Sequence, residues 1–197
     1  HYDEQAVKDI NENEDCIDTL ADKVDSYMIR FSPHVPKGAS SNLLNYYIQC
    51  FSEFERIGDY ATNITETATE IKEKEIRFSP IAHLELAVLG EAVVQVLDYS
   101  YKAFTKLDAT AAKKIEPIEE VIDDLVSQLR SNHIQRFHNG DCTVHGGITF
   151  LDILVNIERI SDQCSNIGIY AFTGRTPDRS ESARLYEAPA QRSRHKF

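Results

Sequence analysis

The sequence predicts an all-α fold made of two repeated antiparallel three-helix bundles, the first of which lacks its first helix in this chain. Three observations support the prediction. Apolar residues recur every three to four positions, the spacing of helices that bury one face. Glycine and proline are scarce, eight and six of 197 residues, and they fall between the periodic stretches. Two segments recur in the same order about a hundred residues later, which indicates an internal repeat.

The first three expected helices are bounded by proline and glycine. One helix is expected over residues 3–31, because the stretch SPHVPKG follows it. A second is expected over 40–76 and ends before the break at 78–80. The third is expected over 80–107, where apolar residues follow the helical period at Leu84, Val88, Ala92, Val96, Tyr99, Ala103 and Leu107.

Two further helices complete the prediction, over residues 109–138 and 145–173, separated by the turn-forming stretch NGDCTVHGG. The fourth helix contains Pro117, which predicts either a kink or a later start, because proline lacks a backbone N–H. Its apolar stripe steps by three and four and not by two, at Ile115, Ile118, Ile122, Leu125 and Leu129.

The internal repeat defines two units. DCIDTL at 15–20 matches EVIDDL at 120–125, and FERIGDYATNI at 54–64 matches IERISDQCSNI at 157–167, at offsets of 105 and 103 residues. The second copy contains three expected helices and the first copy two, so we expect the parent chain to continue upstream with a helix like 80–107. The predicted units are a truncated first repeat (1–77), a second repeat (78–173) and a polar tail or short docked helix (174–197).

Composition excludes several classes of protein. With 32 acidic residues against 21 Lys and Arg, and a formal charge of −11, the chain lacks the basic face that nucleic-acid binding needs. No run approaches the roughly 18 apolar residues that would predict a membrane span. The four cysteines form no CxxC pair, which favours reduced thiols. We therefore expect a soluble, acidic, intracellular domain.

Glutamate and aspartate recur four residues apart, which places both side chains on one face of a helix. Five such pairs occur, four of them at repeat-related positions. If two such helices packed together, their carboxylates would lie close to one another. Because like charges repel, the group would need protons, basic partners or a cation. Oxygen ligands suit hard metal ions. The candidate metal ligands are Glu14, Asp18, Glu55, Asp59, Glu119, Asp123, Glu158 and Asp162, with Asn63 and Asn166 as additional ligands.

The same pairs also fit a solvated helix face or a salt-bridge network, for which Arg56 and Arg159 are candidate counter-ions. For the paired motifs together, metal binding is favoured over that network. Three histidines near Cys142 match no standard zinc spacing and are expected to have loop or interface roles: His133, His138 and His145.

Enzymatic activity is not expected. No motif indicates a Ser/His/Asp or Cys/His arrangement. A di-iron oxidase would need Glu-x-x-His pairs, and the sequence has none.

The motifs ERIGDYATNI and ERISDQCSNI, one in each copy, resemble the PhoU family of phosphate-signalling proteins. The resemblance covers most of residues 3–173 and implies two similar three-helix bundles, each with a Glu/Asp-x-x-x-Asp metal motif. Gln163 stands where a His or Tyr is more usual in the family. The implied cofactor is a divalent or trivalent ion, with Fe, Mn, Zn, Mg and Ca left open. The motif falls on Glu55, Asp59, Glu158 and Asp162, with Glu14, Asp18, Glu119 and Asp123 as co-ligands.

The stretch 133–168 more narrowly resembles the PhoU-like C-terminal domain of bacterial sodium/phosphate cotransporters. This resemblance implies a non-catalytic regulatory domain, tethered to the cytoplasmic face of the membrane by a transporter portion of the same chain. The implied partners are that portion or the phosphate transport machinery. No nucleic-acid partner is expected, and homo-oligomerisation through an open apolar groove is an alternative.

Two other functions stay open at this stage. The chain fits a free-standing PhoU-type regulator of phosphate uptake and signalling, and it also fits a metal-free helical adaptor. The gene sequence upstream of residue 1 distinguishes the first from the cotransporter domain, because apolar spans there would indicate a transporter.

Overall fold

A computed structural model describes residues 2–173 of the chain. Within this range all regular structure is helical, so the predicted all-α fold is confirmed, and the expected helix boundaries are correct to within three residues. The predicted tail at 174–197 lies outside the described residues. The helices are α1 (Glu4–Phe31), α2 (Ala39–Glu73), α3 (Pro80–Lys106), α4 (Ala109–His138) and α5 (Val144–Thr173), with a 3₁₀ turn at Ser32–His34.

Capping side chains set the starts of the helices. Asp3 and Asp108 cap α1 and α4 in the same way, each accepting hydrogen bonds from the backbone amides two and three residues further on. Ser79 caps α3, whose first residue is Pro80. These contacts satisfy amides that have no partner within the helix. Because α1 and α4 begin with the same aspartate cap, the internal repeat includes the starts of these two helices.

Helix α4 continues through Pro117, and a start at that residue is therefore wrong. Proline removes one backbone hydrogen bond. The turns before it are held in place because Ala111, Ala112 and Ile115 are buried in the core. The free energy gained from this burial and from the Asp108 cap exceeds the cost of the hydrogen bond that Pro117 removes.

Helices α3, α4 and α5 pack around one apolar core. Burial of one large side chain there contributes about 1.5–3 kcal/mol. At the crossing of α4 and α5, a Cβ placed on Gly168 would lie 3.0 Å from Ile115 Cδ1, so glycine permits the close approach. The largest fully buried side chains include Leu89, Val96, Ile115, Ile122, Phe150 and Leu154.

Helix α3 has the length and hydropathy of a membrane span, with a mean hydropathy of 1.5 over 18 residues. This finding corrects the sequence-based expectation, which looked for an uninterrupted apolar run. One face of α3 is buried against α4 and α5 through Leu89, Val93 and Val96, whereas Leu84 and Val88 are exposed. In this structure 22% of the apolar window of α3 is buried, so α3 packs one face on the bundle and leaves another apolar face exposed.

Helix α2 packs against α5 on one side and against α1 on the other. Tyr46 and Cys50 of α2 form a second apolar cluster with Ile167 and Tyr170 of α5. Helix α1 contributes no buried residue along its 28 residues. The surface of α1 that faces away from α2 is therefore open to solvent.

Candidate metal centres

Two groups of three carboxylates, which we call the first and second trios, lie between neighbouring helices. In each trio the carboxylate oxygens lie within 4.8 Å of one another. The members correspond one to one in the internal repeat, so the fold builds the same arrangement twice. The first trio is Glu14, Asp18 and Asp59, and the second is Glu119, Asp123 and Asp162.

Helix geometry brings each trio together. Glu14 and Asp18 lie four residues apart on the face of α1 that packs on α2. Asp59 follows Gly58, and a Cβ at Gly58 would lie 3.6 Å from Glu14 Cγ, an ordinary packing distance. The equivalent position in α5 is the fully buried Ser161. A small residue before each aspartate thus lets the neighbouring helix approach, as its place in the motif suggests.

Ionisation of the second trio is disfavoured in the metal-free protein. Burial and the charge of Asp123 raise the pKa of Glu119 to about 8. Burial, together with the charges of Asp123 and Glu158, raises the pKa of Asp162 to about 6. The pKa of Asp123 is also raised, first by burial and then by Glu158. A bound cation would favour the charged forms and displace these protons.

The first trio shows shifts in the same direction. Desolvation and then the charges of Asp18, Asp15 and Asp59 raise the pKa of Glu14. The pKa of Glu55 is raised by partial burial, and next by Asp18 and Asp59. Glu55 therefore lies within electrostatic reach of the first trio, although it is not one of its three members.

Glu158 differs from Glu55 because it has a basic partner. Arg130 Nη2 donates a hydrogen bond to Glu158 Oε2 at 2.5 Å. The repeat counterpart of Arg130 is Asp25, 105 residues earlier, and the charge of Asp25 raises the pKa of Glu55. Arg130 was not among the residues expected at the site from the sequence, although aligning the two copies at this offset shows the opposite charges.

Asn63 and Asn166 make hydrogen bonds across the interface between α2 and α5. Asn63 Nδ2 donates to Asn156 Oδ1 at 3.2 Å, and Asn166 Nδ2 donates to Glu53 Oε2 at 3.3 Å. A step of four residues rotates the side chain by roughly 40° around a helix of 3.6 residues per turn. This rotation turns both amides from the trios toward the facing helix.

The two arginines named as counter-ions from the sequence make their closest contacts outside the trios, although the charge of Arg159 lowers the pKa of Asp162. Arg56 Nη1 lies 3.7 Å from Glu53 Oε2, and the guanidinium of Arg159 lies 5.6 Å from the ring centre of Tyr60. Neither forms a salt bridge with a trio member, because each points from its helix toward the interface of α2 with α5.

The histidines near Cys142 have packing and surface roles in the part of the chain that the structure describes. His133 is buried, and its ring stacks on Phe150 with a centroid distance of 5.3 Å. His145 Nε2 lies 3.2 Å from Glu70 Oε1, which connects the start of α5 to the end of α2. The contact of His145 agrees with the interface role expected from the spacing, whereas His133 is a buried residue of α4 that packs on the core and has no loop role.

The donor chemistry of both trios fits a hard cation. Each offers three carboxylate oxygens, the ligand type preferred by Mg²⁺, Ca²⁺, Mn²⁺ and iron. Within residues 2–173, these trios are the groups of three or more potential ligands with converging donor atoms.

The PhoU domain model matches residues 1–68 and 86–171, one match in each half of the repeat. One similar protein is the phosphate-specific transport system accessory protein PhoU homolog 1 of Thermotoga maritima. It is 26% identical over 87% of this chain and 75% of its own length. The accessory protein PhoU of Escherichia coli is 25% identical over 87% of this chain and 70% of its own length.

Two solved structures have the same fold. PhoU from Pseudomonas aeruginosa superposes with a TM-score of 0.76 at 21% identity, covering 86% of this chain and 82% of its own. The phosphate transport system regulatory protein PhoU from Streptococcus pneumoniae gives 0.75 at 21% identity, covering 88% and 82%. With the family model matching most of both halves, the chain belongs to the PhoU domain family.

Proposed function

We propose that this protein is a non-catalytic regulatory accessory protein of a phosphate transport system, acting on the cytoplasmic side of the membrane. The single structural observation that carries the proposal is the repeated carboxylate trio, built at equivalent places in both halves. The names of the relatives, accessory proteins of phosphate-specific transport systems, supply the process. The proposed partner is the membrane-bound phosphate transport machinery.

We further propose that each trio binds a metal ion. Glu14, Asp18 and Asp59 would hold one ion, and their repeat counterparts would hold another. Glu55 and Glu158 lie next to the trios as further candidate ligands. The positive charge would relieve repulsion between the carboxylates. It would also give the acidic surface a contact point for anionic groups, which the metal-free protein repels.

The two trios should differ in affinity. Arg130 already neutralises Glu158 beside the second trio, whereas Asp25 adds negative charge near Glu55 beside the first. Part of the second trio is protonated at neutral pH, because the pKa of Glu119 is about 8. We therefore propose that the first trio binds metal more tightly than the second.

Elemental analysis of the purified protein tests metal binding. We compare the wild type with Asp59→Asn, Asp162→Asn and the double variant. The control is Glu120→Gln/Asp124→Asn, an exposed pair with the same spacing on α4 that belongs to neither trio. Its charges raise the pKa values of Glu119 and Asp123, so it measures the effect of neighbouring charge without the loss of a ligand. The proposal predicts that each trio variant loses its own ion and that the control keeps both. Equal metal content in all variants would contradict it.

A metal-free adaptor is the second candidate, and the exposure of the ligands favours it. In each trio the two aspartates are exposed, and exposed acidic groups often bind no ion. The adaptor predicts an unchanged midpoint of thermal unfolding after chelation. Bound metal predicts a fall in the midpoint, because a ligand that binds the folded state stabilises it.

A free-standing accessory protein fits the similar proteins better than the C-terminal domain of a sodium/phosphate cotransporter, since the relatives are named as accessory proteins. Cross-linking of the tagged protein in cells, followed by mass spectrometry, tests the partner. We expect cross-links from the surface of α1 to membrane components of a separate phosphate transporter. A gene that encodes membrane spans in the same chain would instead support the cotransporter domain.

A further inference from the structure

One exposed side of α3 carries a stripe of apolar residues. Ile81, Leu84 and Val88 follow the three- and four-residue steps of a single helix face. They are 62%, 68% and 55% exposed. The hydropathy of α3 is that of a membrane span, although most of the helix is unburied. An apolar helix face that the bundle leaves uncovered is a candidate interaction surface.

Contacts with α4 show which side of α3 this stripe occupies. Asn132 Nδ2 donates a hydrogen bond to Glu85 Oε1 at 2.7 Å. Arg136 Nη1 lies 2.8 Å from Glu85 Oε2, and both side chains are 12% exposed. Ile81 and Val88 lie four residues before and three residues after Glu85, next to it around the helix. The stripe therefore follows the boundary between α3 and α4 on its outer side.

Helix α4 continues this surface on the other side of the boundary. Val121, Gln128 and Gln135 lie seven residues apart, which places them on one side of α4, and all three are exposed. Asn132 lies four residues after Gln128, and its hydrogen bond to Glu85 shows that this side of α4 borders α3. We call the combined surface the α3/α4 face, which consists of Ile81, Leu84, Val88, Val121, Gln128 and Gln135.

Two lysines meet one tyrosine at the end of this face. The Nζ atoms of Lys102 and Lys114 lie 5.6 Å and 5.1 Å from the ring centre of Tyr99. Lys102 comes from α3 and forms a salt bridge with Asp98, whereas Lys114 comes from α4. Tyrosine and lysine are typical of the headgroup level of a membrane, where the ring contacts the apolar region and the ammonium group reaches the phosphates.

Acidic side chains are concentrated away from the α3/α4 face. Helix α1 carries eight acidic and three basic residues. The second trio lies between α4 and α5, on the other side of α4. Glu91 and Asp124 lie at the edges of the face. Because the chain has a formal charge of −11, it approaches an anionic surface most favourably through its least acidic side.

We propose that the α3/α4 face binds the surface of a lipid bilayer that contains anionic headgroups. Ile81, Leu84 and Val88 enter the boundary between headgroups and acyl chains, and Lys102 and Lys114 contact the phosphates. A bilayer suits this face because apolar side chains that project outward enter a fluid interface without a matching partner surface. This inference goes beyond the accessory role proposed above, and it requires neither a metal ion nor a transporter.

Flotation of the 197-residue chain with vesicles tests the proposal. The vesicles contain phosphatidylglycerol and phosphatidylcholine in equal amounts, or phosphatidylcholine alone. EDTA is present throughout, so that no metal ion bridges carboxylates to lipid phosphates. Val88→Gln is compared with Val94→Gln, which changes the same residue type on the same helix at 66% exposure. Six residues rotate the side chain by about 120° around the helix, which takes Val94 off the face.

Val88→Gln should lower the partition coefficient into the mixed vesicles at least about threefold, because it removes an apolar group from the interface. Val94→Gln should leave the coefficient unchanged. No flotation of the wild type would overturn the proposal. Equal losses in the two variants would also overturn it, because binding would then belong to another apolar surface.

The charge contribution has its own matched pair. Lys113 precedes Lys114, but its Nζ atom lies 5.2 Å from the ring centre of Phe172 in α5 and not beside Tyr99. Lys114→Gln should weaken binding to the mixed vesicles about threefold, and Lys113→Gln less. Neither should affect binding to phosphatidylcholine alone. Equal effects of the two substitutions would contradict contact of Lys114 with the headgroups.

Fluorescence quenching measures contact with the acyl chains directly. The chain contains no tryptophan, so Val88→Trp and Val94→Trp each introduce a single indole. Brominated phosphatidylcholine in the mixed vesicles should quench the indole at position 88 and leave that at position 94 unchanged. Equal quenching at both positions, or none at position 88, would overturn the proposal.

Discussion

Arg130 and Asp25 occupy equivalent positions in the repeat and carry opposite charges. Arg130 forms a salt bridge with Glu158, and the charge of Asp25 raises the pKa of Glu55. Aligning the two copies of the repeat shows this difference in charge. It does not show which carboxylate each of the two side chains acts on. Whether a long arginine side chain reaches one carboxylate or another depends on how two helices pack, and spacing within one helix does not determine that.

Exchanging these two charges should exchange the metal affinities of the trios. Arg130→Asp is expected to strengthen Mn²⁺ binding at the second trio roughly tenfold, and Asp25→Arg to weaken it at the first by a similar factor. Each substitution reverses a charge and so changes the local charge by two units, and after solvent screening we expect a change of about 1.4 kcal/mol, which is tenfold in affinity. Isothermal titration calorimetry measures both, with each variant made in a background where the other trio is disabled.

Lys37→Asp is the control for this exchange, because it changes the net charge as Arg130→Asp does but lies in the turn before α2. It should leave both affinities within a factor of two of the wild type, because surface charges a Debye length of about 8 Å apart are largely screened. If Lys37→Asp and Arg130→Asp had equal effects, net charge would explain the result and the role of Arg130 would be wrong.

The metal-free protein should lose stability as the pH rises from about 4.5 to 8. The pKa of Glu119 is raised to about 8, so the folded protein holds a proton that the unfolded chain releases near pH 4.5. Stability falls wherever the folded state binds more protons. Glu119→Gln removes this loss, and should stabilise the chelated protein at pH 8 by about 2 kcal/mol after discounting for solvent, with little change at pH 4.

Urea unfolding in chelator at pH 4, 6 and 8 measures this dependence. Glu120→Gln is the control, since Glu120 is the exposed neighbour of Glu119 on α4. Glu120 contributes the smallest of the causes that raise the pKa of Glu119, so the control curve should stay close to the wild-type curve at all three values of pH. A Glu119→Gln curve parallel to the wild type would show that the carboxyl of Glu119 titrates normally.

At the scale of the helix, the sequence predicts boundaries well because caps and breaks are local. Asp3, Ser79 and Asp108 act within three residues of their own position, and they start the helices at the expected places. Pro117 is the exception, since burial of the preceding turns comes from other helices. The antiparallel packing of α2 on α5 was likewise not predicted, because periodicity shows which face is apolar but not what covers it.

Gly168→Val should destabilise the protein by about 2 kcal/mol, because overpacking a well-packed core costs about 1–3 kcal/mol. The first added carbon would lie 3.0 Å from Ile115 Cδ1 and 3.3 Å from Ile115 Cβ, where α4 crosses α5. The matched control is Gly90→Val in α3, where an added Cβ would meet no atom within 4 Å. The control should be neutral or slightly stabilising, since valine has the better helix propensity. Thermal unfolding of both variants measures the difference, and equal midpoints would contradict the close crossing.

Across the whole molecule, the two halves meet through contacts that obey the repeat. Asn63 bonds to Asn156, and the equivalent Asn166 bonds to Glu53, the counterpart of Asn156. Helices α2 and α5 therefore run antiparallel. The position of Asn63 in one half contacts the position of Glu53 in the other half, and the same holds with the halves reversed. The two contacts differ in burial, because Glu53 is 3% exposed and Asn63 lies at the surface. Tyr170 OH donates a further hydrogen bond to Glu53 at 3.0 Å.

Glu53→Ala should therefore weaken the junction of the halves far more than Asn156→Ala. Loss of the Glu53 carboxylate leaves the buried Tyr170 hydroxyl without its acceptor, at a cost of about 2–3 kcal/mol. Asn156→Ala leaves only an exposed amide, which water can satisfy. Glu53→Gln keeps an acceptor for Tyr170 and should cost less than about 1 kcal/mol.

Urea unfolding followed in the far-ultraviolet, and by tyrosine fluorescence, measures the stability of all three variants. Equal losses in both alanine variants would mean that the interface depends on shape rather than on this buried acceptor. If the two signals separate only in Glu53→Ala, the halves unfold independently once this acceptor is lost, because the contact that couples them is concentrated at one of two equivalent positions.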